Sequence, residues 1–177
     1  NDHLQRTYGG VAHANETENT FVFETRFDTM KNQPLVSIIM PMKDHYELSC
    51  NCVNSILQKS TYQNYEILIL DNRSEKPETF AWFEQVQRQD SRIRVIRADF
   101  EFNWSKLNNY GMDHANGEVY IFLNNDIVVI SPDWIERLCE NALRDDVGVV
   151  GPMLLFEDNT IQHAGVVVGF GGWADHI

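Results

Sequence analysis

The sequence predicts an α/β protein built on a mostly parallel sheet with helices on both faces. Two observations carry that expectation. Strand-like apolar runs alternate with segments of helical periodicity, at βαβ lengths, four times between Leu35 and Val150. Several of these runs end in a short polar cluster that can open the next helix, as βαβ units require.

Leu35-Val36-Ser37-Ile38-Ile39-Met40 is a β-branched run expected to form a buried strand ending at Pro41. Asp44 and Glu47 have capping-box spacing, and Leu48, Cys52, Val53, Ile56 and Leu57 then recur on one helical face. Tyr65 to Leu70 is the second strand, closed by Asp71-Asn72-Arg73-Ser74. Phe80, Phe83 and Val86 mark a second helix, and Ile93 to Ile96 a third strand. A third helix is expected from about Ser105 to Ala115, closed by Asn116-Gly117, and Val119 to Leu123 form a fourth strand. Ser131-Pro132-Asp133 opens a helix with the stripe Trp134, Ile135, Leu138, Cys139, Ala142 and Leu143; Val147 to Val150 reads as one more strand. Residues 1–33 are polar without sustained period, apart from Phe21-Val22-Phe23. They read as a linker or the edge of a preceding segment, and residues 34–177 as the folded domain.

Bulk properties narrow the function. A hydrophobic share of 43% and a charged share of 23% over 177 residues are those of a soluble globular domain. No apolar run approaches the ~20 residues of a bilayer span, and no signal-peptide pattern opens the chain. A net charge of −12 with no Lys/Arg cluster argues against nucleic acid as partner. Cys50 and Cys52 are too close for an ordinary disulfide and Cys139 leaves the count odd, so a reducing cytosol is expected.

In an open α/β sheet, ligands bind beyond the carboxyl ends of the strands. That rule selects Pro41-Met42-Lys43-Asp44, Asp71-Asn72 and Asn124-Asn125-Asp126. None is glycine-rich, and GxGxxG and GxxxxGK[ST] are both missing, which argues against a dinucleotide dehydrogenase and a P-loop NTPase. Asp126 lies between Phe122-Leu123 and Ile127 to Ile130, in what reads as one buried strand. A buried carboxylate without a partner costs several kcal/mol, so a partner is expected. A divalent cation shared with a phosphate fits, because Mg²⁺ takes one or two carboxylates together with phosphate oxygens.

These residues carry a family resemblance. VSIIMPMKD resembles the first strand of the family 2 nucleotide-sugar glycosyltransferases, which have the GT-A fold, and EILILDNRS resembles their second. Asn109-Tyr110-Gly111 with Ala115, Gly117 and Glu118 resembles the N-x-G…A-x-G-E segment. Asn124-Asn125-Asp126 falls on the DxD triplet, with Asn124 in place of the first acid. SPDWIERL, VGVVGPMLL and IQHAGVVVGFGG are similar to the bacterial polysaccharide (O-antigen) branch. The likeness runs from residue 35 to 177.

The resemblance implies a GT-A domain, C-terminally truncated, that moves a hexose from a UDP- or dTDP-sugar to a glycan, glycolipid or glycoprotein acceptor with inversion. It implies that Pro41, Lys43 and Asp44 border the nucleoside and that Asp71 takes a donor from the base. Asn108 and Asn109 would face the nucleotide, Asn124 and Asn125 the ribose and diphosphate. Asp126 would ligate Mn²⁺ or Mg²⁺, with His163 and His176 as weaker metal candidates. The general base is expected beyond Ile177, and the protein in the cytoplasm, where it could work at the inner face of the membrane. Each residue also has a structural reading: Asp44 as a helix cap, Asp71-Asn72 as a turn, Lys43 as a solvated cation, Asn109 as a cap, His163 as a structural imidazole, Trp104 and Trp173 as core or crevice wall, and Gly169, Gly171 and Gly172 as a plain turn. Two alternatives stand beside the transferase: a non-catalytic nucleotide-sugar-binding or assembly module, and a sugar-nucleotide nucleotidyltransferase. The latter wants a glycine- and basic-rich loop where PMKDHYE stands.

Overall fold

The computed structural model describes residues 1–30, 32–168 and 174–176, with backbone alone for residues 168 and 174–176. In chain order the elements are α1 (Asp2–Tyr8), β1 (Ala12–Glu16), β2 (Phe23–Phe27), β3 (Val36–Met42), α2 (Tyr46–Lys59), β4 (Tyr65–Asp71) and α3 (Pro77–Gln89). They continue with β5 (Ile93–Arg97), α4 (Trp104–His114), β6 (Val119–Phe122), α5 (Trp134–Ala142), β7 (Leu154–Leu155), β8 (Ile161–His163), β9 (Val166–Val168) and β10 (Ala174–His176). Two compact units are distinguished, Asn32–Ile135 and Asn1–Lys31 with Glu136–Ile177.

The first unit holds the parallel sheet, in the order β5-β4-β3-β6. β3 and β4 are buried along their whole length, which is why they read as unbroken apolar runs. Each fully buried Ile or Leu here contributes about 1.5–3 kcal/mol of apolar transfer. The chain moves outward from β3 to β5 and then returns to β6 on the other side of β3. Right-handed crossovers in opposite directions place α2 and α3 on one face and α4 on the other. On the α4 face Ile39, Leu68 and Leu70 form a core with Ala98 and Leu107. Gly111 permits this close approach, since a Cβ there would stand 2.6 Å from Ile39 Cγ2 and 2.9 Å from Leu70 Cδ1.

Pro41 does not end its strand. β3 runs on to Met42, with Pro41 opposite Leu70. Proline is tolerated in this central strand because β6 pairs only as far as Ile39, so beyond that point one edge of β3 has no ladder for an N–H to serve. Asp44 does not cap α2 either. The cap is His45, in left-handed conformation without a side-chain bond, and the Asp44 carboxylate serves another helix. Val147 to Val150 form no strand; the segment follows the turns that end α5 and lies outside any ladder.

Glu66, buried on β4, ties three segments together. Its Oε1 accepts from Ser37 Oγ at 2.7 Å and the Asn116 N–H at 2.6 Å; its Oε2 accepts from Asn116 Nδ2 and Arg94, each at 3.0 Å. Burial pushes this carboxyl up, but the hydrogen bonds from Asn116, Ser37 and Arg94 outweigh it and hold it below the ordinary range. Asp90 is lowered by its fork with Arg92. Folded-state values below the unfolded ones give stability that is complete above the unfolded value, about 4, and lost as pH falls through the folded values. The melting temperature should therefore hold steady from pH 7 to about 5 and fall below about pH 4. Calorimetric melts against pH check this, and a melting temperature constant down to about pH 3 would contradict it.

In the second unit, the stretch read as a linker or segment edge carries α1 and the antiparallel ribbon β1–β2. Arg26 Nε donates to Glu140 Oε2 at 2.8 Å, and Arg26 above all holds the Glu140 carboxyl low. The Arg144 guanidinium lies 4.2 Å from the Phe27 ring centre. β7–β8 and β9–β10 are short antiparallel pairs. No helix among the described residues is long and apolar enough to cross a membrane.

Candidate functional site

The candidate site lies at the carboxyl edge of the parallel sheet, where β3, β4, β5 and β6 end. Their termini are knitted together: the Asn72 N–H donates to Met42 O at 2.8 Å, and the Ala98 N–H to Asp71 O at 2.9 Å. Asn72 Nδ2 adds bonds to the carbonyls of Ala98 and Phe100.

Asp44 and Asp71 are joined through one serine. Asp71 is 2% exposed; its Oδ1 accepts the Ser74 N–H at 2.8 Å and its Oδ2 accepts from Arg97 Nη1 at 2.6 Å. Ser74 Oγ in turn accepts the Asp44 N–H at 2.8 Å. Asp44 Oδ1 receives the N–H groups of Glu75 and Lys76, at 3.1 and 3.0 Å, and the Thr79 hydroxyl at 3.3 Å. It thus serves the amino end of α3, whose own cap residue, Lys76, has no side-chain acceptor to offer. The Lys76 N–H above all holds this carboxyl below its ordinary value, with burial opposing. Lys43 is exposed, 3.8 Å from Glu75. Pro41 is buried in β3.

Arg97 and Ser74 were not anticipated from sequence. Arg97 is the last residue of β5 and lies in register with Asp71, the last of β4. Extending both strands by one residue would have found the pair. Ser74 lies three residues after Asp71, within reach of the short-range side-chain-to-backbone bond its N–H makes to that carboxylate.

Asn124, Asn125 and Asp126 form a second group, and here the expected environment is not found. β6 stops at Phe122; Asn125 and Asp126 lie in a turn, and Asp126 is exposed rather than buried inside a strand. An exposed carboxylate needs no partner for stability. The turn rests on α2: Asn125 Nδ2 donates to Ser49 Oγ at 3.0 Å, and Cys52 Sγ lies 3.8 Å from Asn124 O. Burial pushes the Cys52 thiol up to about 12, with the Asp126 charge adding to the rise.

A third group borders the first turn of α4. Asn103 caps this helix through Oδ1, which accepts the Lys106 N–H at 2.9 Å. Trp104, Ser105, Asn108, Asn109 and Phe122 line a cleft of about 240 Å³. Asn109 is exposed and Asn108 buried, so both face this cleft from different depths. Trp104 is crevice wall and not core, being 45% exposed.

His163 belongs to β8 in the other unit. The side chain of His176, and residues Gly169, Gly171, Gly172 and Trp173, lie outside the described residues. Among the described residues no three His, Cys, Asp or Glu side chains gather as a ready-made metal cage.

The sequence pattern of glycosyl transferase family 2 matches residues 37–164. The chain belongs to that family. This glycosyltransferase domain is 44% identical over 147 residues to the O-antigen biosynthesis protein RfbC of Myxococcus xanthus, covering 83% of this chain and 11% of that protein. It is 30% identical over 128 residues to the UDP-Glc:alpha-D-GlcNAc-diphosphoundecaprenol beta-1,3-glucosyltransferase WfgD of Escherichia coli, over 72% of this chain and 49% of WfgD. Its fold is similar to that of the mannosyltransferase PcManGT of Pyrobaculum calidifontis, solved with GDP-Man and Mn²⁺, with a TM-score of 0.58 at 17% identity over 67% of this chain and 35% of the other. The GT-A fold is thereby established. The chain spans about a tenth of RfbC, at 11%, so this glycosyltransferase domain is a minor part of that relative's length.

Proposed function

We propose that this domain binds a nucleoside-diphosphate sugar, UDP- or dTDP-linked, and transfers its hexose with inversion to a glycan, glycolipid or glycoprotein acceptor. The observation that carries the reading is the convergence of Asp44, Asp71, Asn108, Asn109 and Asn124 to Asp126 on one sheet edge, in a chain of this family. The UDP-Glc in the name of WfgD supports the donor class.

In this reading Asp71 faces the base. Its carboxylate is fixed by Arg97 and Ser74 yet keeps lone pairs for an N–H donor. Asn124 and Asn125 serve the ribose and diphosphate, and Lys43 is the nearest cation of the β3 loop for a phosphate. Asp126 offers one exposed carboxylate. Among the described residues, that donor set fits Mn²⁺ or Mg²⁺ held largely by the diphosphate. When bound, such an ion neutralises charge on the departing nucleoside diphosphate. An acid on the acceptor side takes the acceptor proton, and attack opposite the leaving group inverts the anomeric carbon.

Calorimetric titration tests this. UDP or dTDP should bind, more tightly with Mn²⁺ than without, whereas Mn²⁺ alone should give no saturable heat. Absence of affinity for both nucleotides, with and without the ion, refutes the reading. A non-catalytic binding module would show the same binding without transfer by the whole protein.

A further inference from the structure

Beyond β6 the chain has no ladder to hold it, yet it is held. The Leu123 N–H still donates to Ile39 O of β3, at 2.9 Å, and residues 124–130 lie in no helix or strand. Their support comes from side chains of α2. Ser49, Cys52, Ser55 and Lys59 follow at i, i+3, i+6 and i+10, on one face of that helix. Asn125 Nδ2 donates to Ser49 Oγ at 3.0 Å; Cys52 Sγ lies 3.8 Å from Asn124 O and accepts the Ile127 N–H. Ser55 Oγ accepts the Val129 N–H at 3.1 Å while its own hydrogen goes to Cys52 O at 2.8 Å. Lys59 Nζ donates to Val129 O at 2.7 Å. Asp126, exposed and the one acid of its triplet, lies in sequence among the residues so gripped.

Satisfying loop backbone explains Cys52, Ser55 and Lys59, because a backbone group left unpaired is costly. It does not explain Ser49. That residue is fully buried inside a helix, where alanine is the better helix former. Its partner is a side-chain amide, only half-buried, that water can serve as well.

We propose that Ser49 is a positioning residue for the cation: through the Asn125 amide it fixes the turn that carries Asp126, so that this carboxylate is set before the ion binds. The inference rests on the nucleotide-sugar reading above and adds the part that α2 takes in it. Where the protein offers the ion a single carboxylate, affinity depends on how firmly that carboxylate is supported.

The test is calorimetric titration of the full chain with UDP, or dTDP if UDP does not bind, at a series of Mn²⁺ concentrations. Wild type, Ser49→Ala, Asp126→Ala and the double variant are compared. In Ser49→Ala the Mn²⁺ concentration giving half of the ion's effect should rise roughly tenfold, the low end of losses when a ligand's support is removed. Nucleotide affinity without the ion should not change, and the melting temperature should stay within about 2 °C of wild type. The double variant should match Asp126→Ala, since the serine acts only through that carboxylate. A wild-type Mn²⁺ requirement in Ser49→Ala overturns the proposal and leaves the donor reading standing. So does an equal loss of affinity with and without the ion, or a large fall in melting temperature, either of which makes the serine structural. If Mn²⁺ does not strengthen binding to the wild-type chain, the ion and its positioning residue are both refuted. If neither nucleotide binds at all, the donor reading is refuted and the inference with it.

Discussion

Asp126→Ala should abolish the ion-dependent share of nucleotide binding, lower sugar transfer by the whole protein roughly 10²–10³-fold, and leave the melting curve almost unchanged. The combination is diagnostic because Asp126 is exposed on the turn after β6, and exposed substitutions away from caps and cores usually stay within about 0.5 kcal/mol. Asp126→Asn keeps the shape and removes the charge, so it should behave like the alanine variant if charge on the ion is what matters. Asp71→Ala gives the contrast. That carboxylate is buried, paired with Arg97 and bonded to the Ser74 N–H, so its loss should lower the melting temperature as well as binding. Calorimetry with UDP, with and without Mn²⁺, read beside thermal melts, separates the two cases. Wild-type ion dependence in Asp126→Ala would remove Asp126 from the ligand set.

The strands of the parallel sheet were legible because β3 and β4 are buried on both faces, and burial on both faces writes an uninterrupted apolar run. Helices α2 to α5 were legible from period and flanking breakers. What misled was local chemistry with two possible clients. Asp44 stands where an α2 cap belongs, but the chain takes a left-handed turn at Asp44 and His45 and delivers the carboxylate to α3, some thirty residues on. Sequence spacing cannot show a cap given across space. Asp126 misled in a different way. The apolar residues after it suggest a continuing strand, yet β6 ends at Phe122 and Val128 and Ile130 are themselves exposed. The electrostatic reason given for Asp126, burial inside a strand, was not the right one. Asn108 was placed at the site by resemblance, and only the coordinates show that its carbonyl lacks a partner.

Gly117→Ala should be the most destabilising single substitution at this edge of the fold, about 3 kcal/mol or more, near the upper end of overpacking costs. A Cβ at this position would stand 2.5 Å from Ser37 Oγ and 2.7 Å from both Leu35 O and Ser37 N. Two of those atoms are backbone at the start of β3, which is held on both sides and cannot step away. Nor can the glycine. Its N–H donates to Ser37 Oγ at 2.9 Å, the next N–H donates to Leu35 O at 2.8 Å, and the Asn116 N–H before it is held by Glu66. Sequence reading gave Gly117 the job of closing α4, but that helix is closed at Ala115, and the glycine's role is clearance where β6 enters the sheet. Relief of the clash must therefore displace β6, four residues long and the carrier of Asn124 to Asp126, so nucleotide affinity should fall together with stability. Gly111→Ala is the matched control: it meets the side chains of Ile39 and Leu70, which can shift by rotation, and should cost less. Thermal melts of both variants decide, with a loss of roughly 10 °C or more expected for Gly117→Ala. A melting temperature within about 2 °C of wild type would show that the β6 entry can yield without cost.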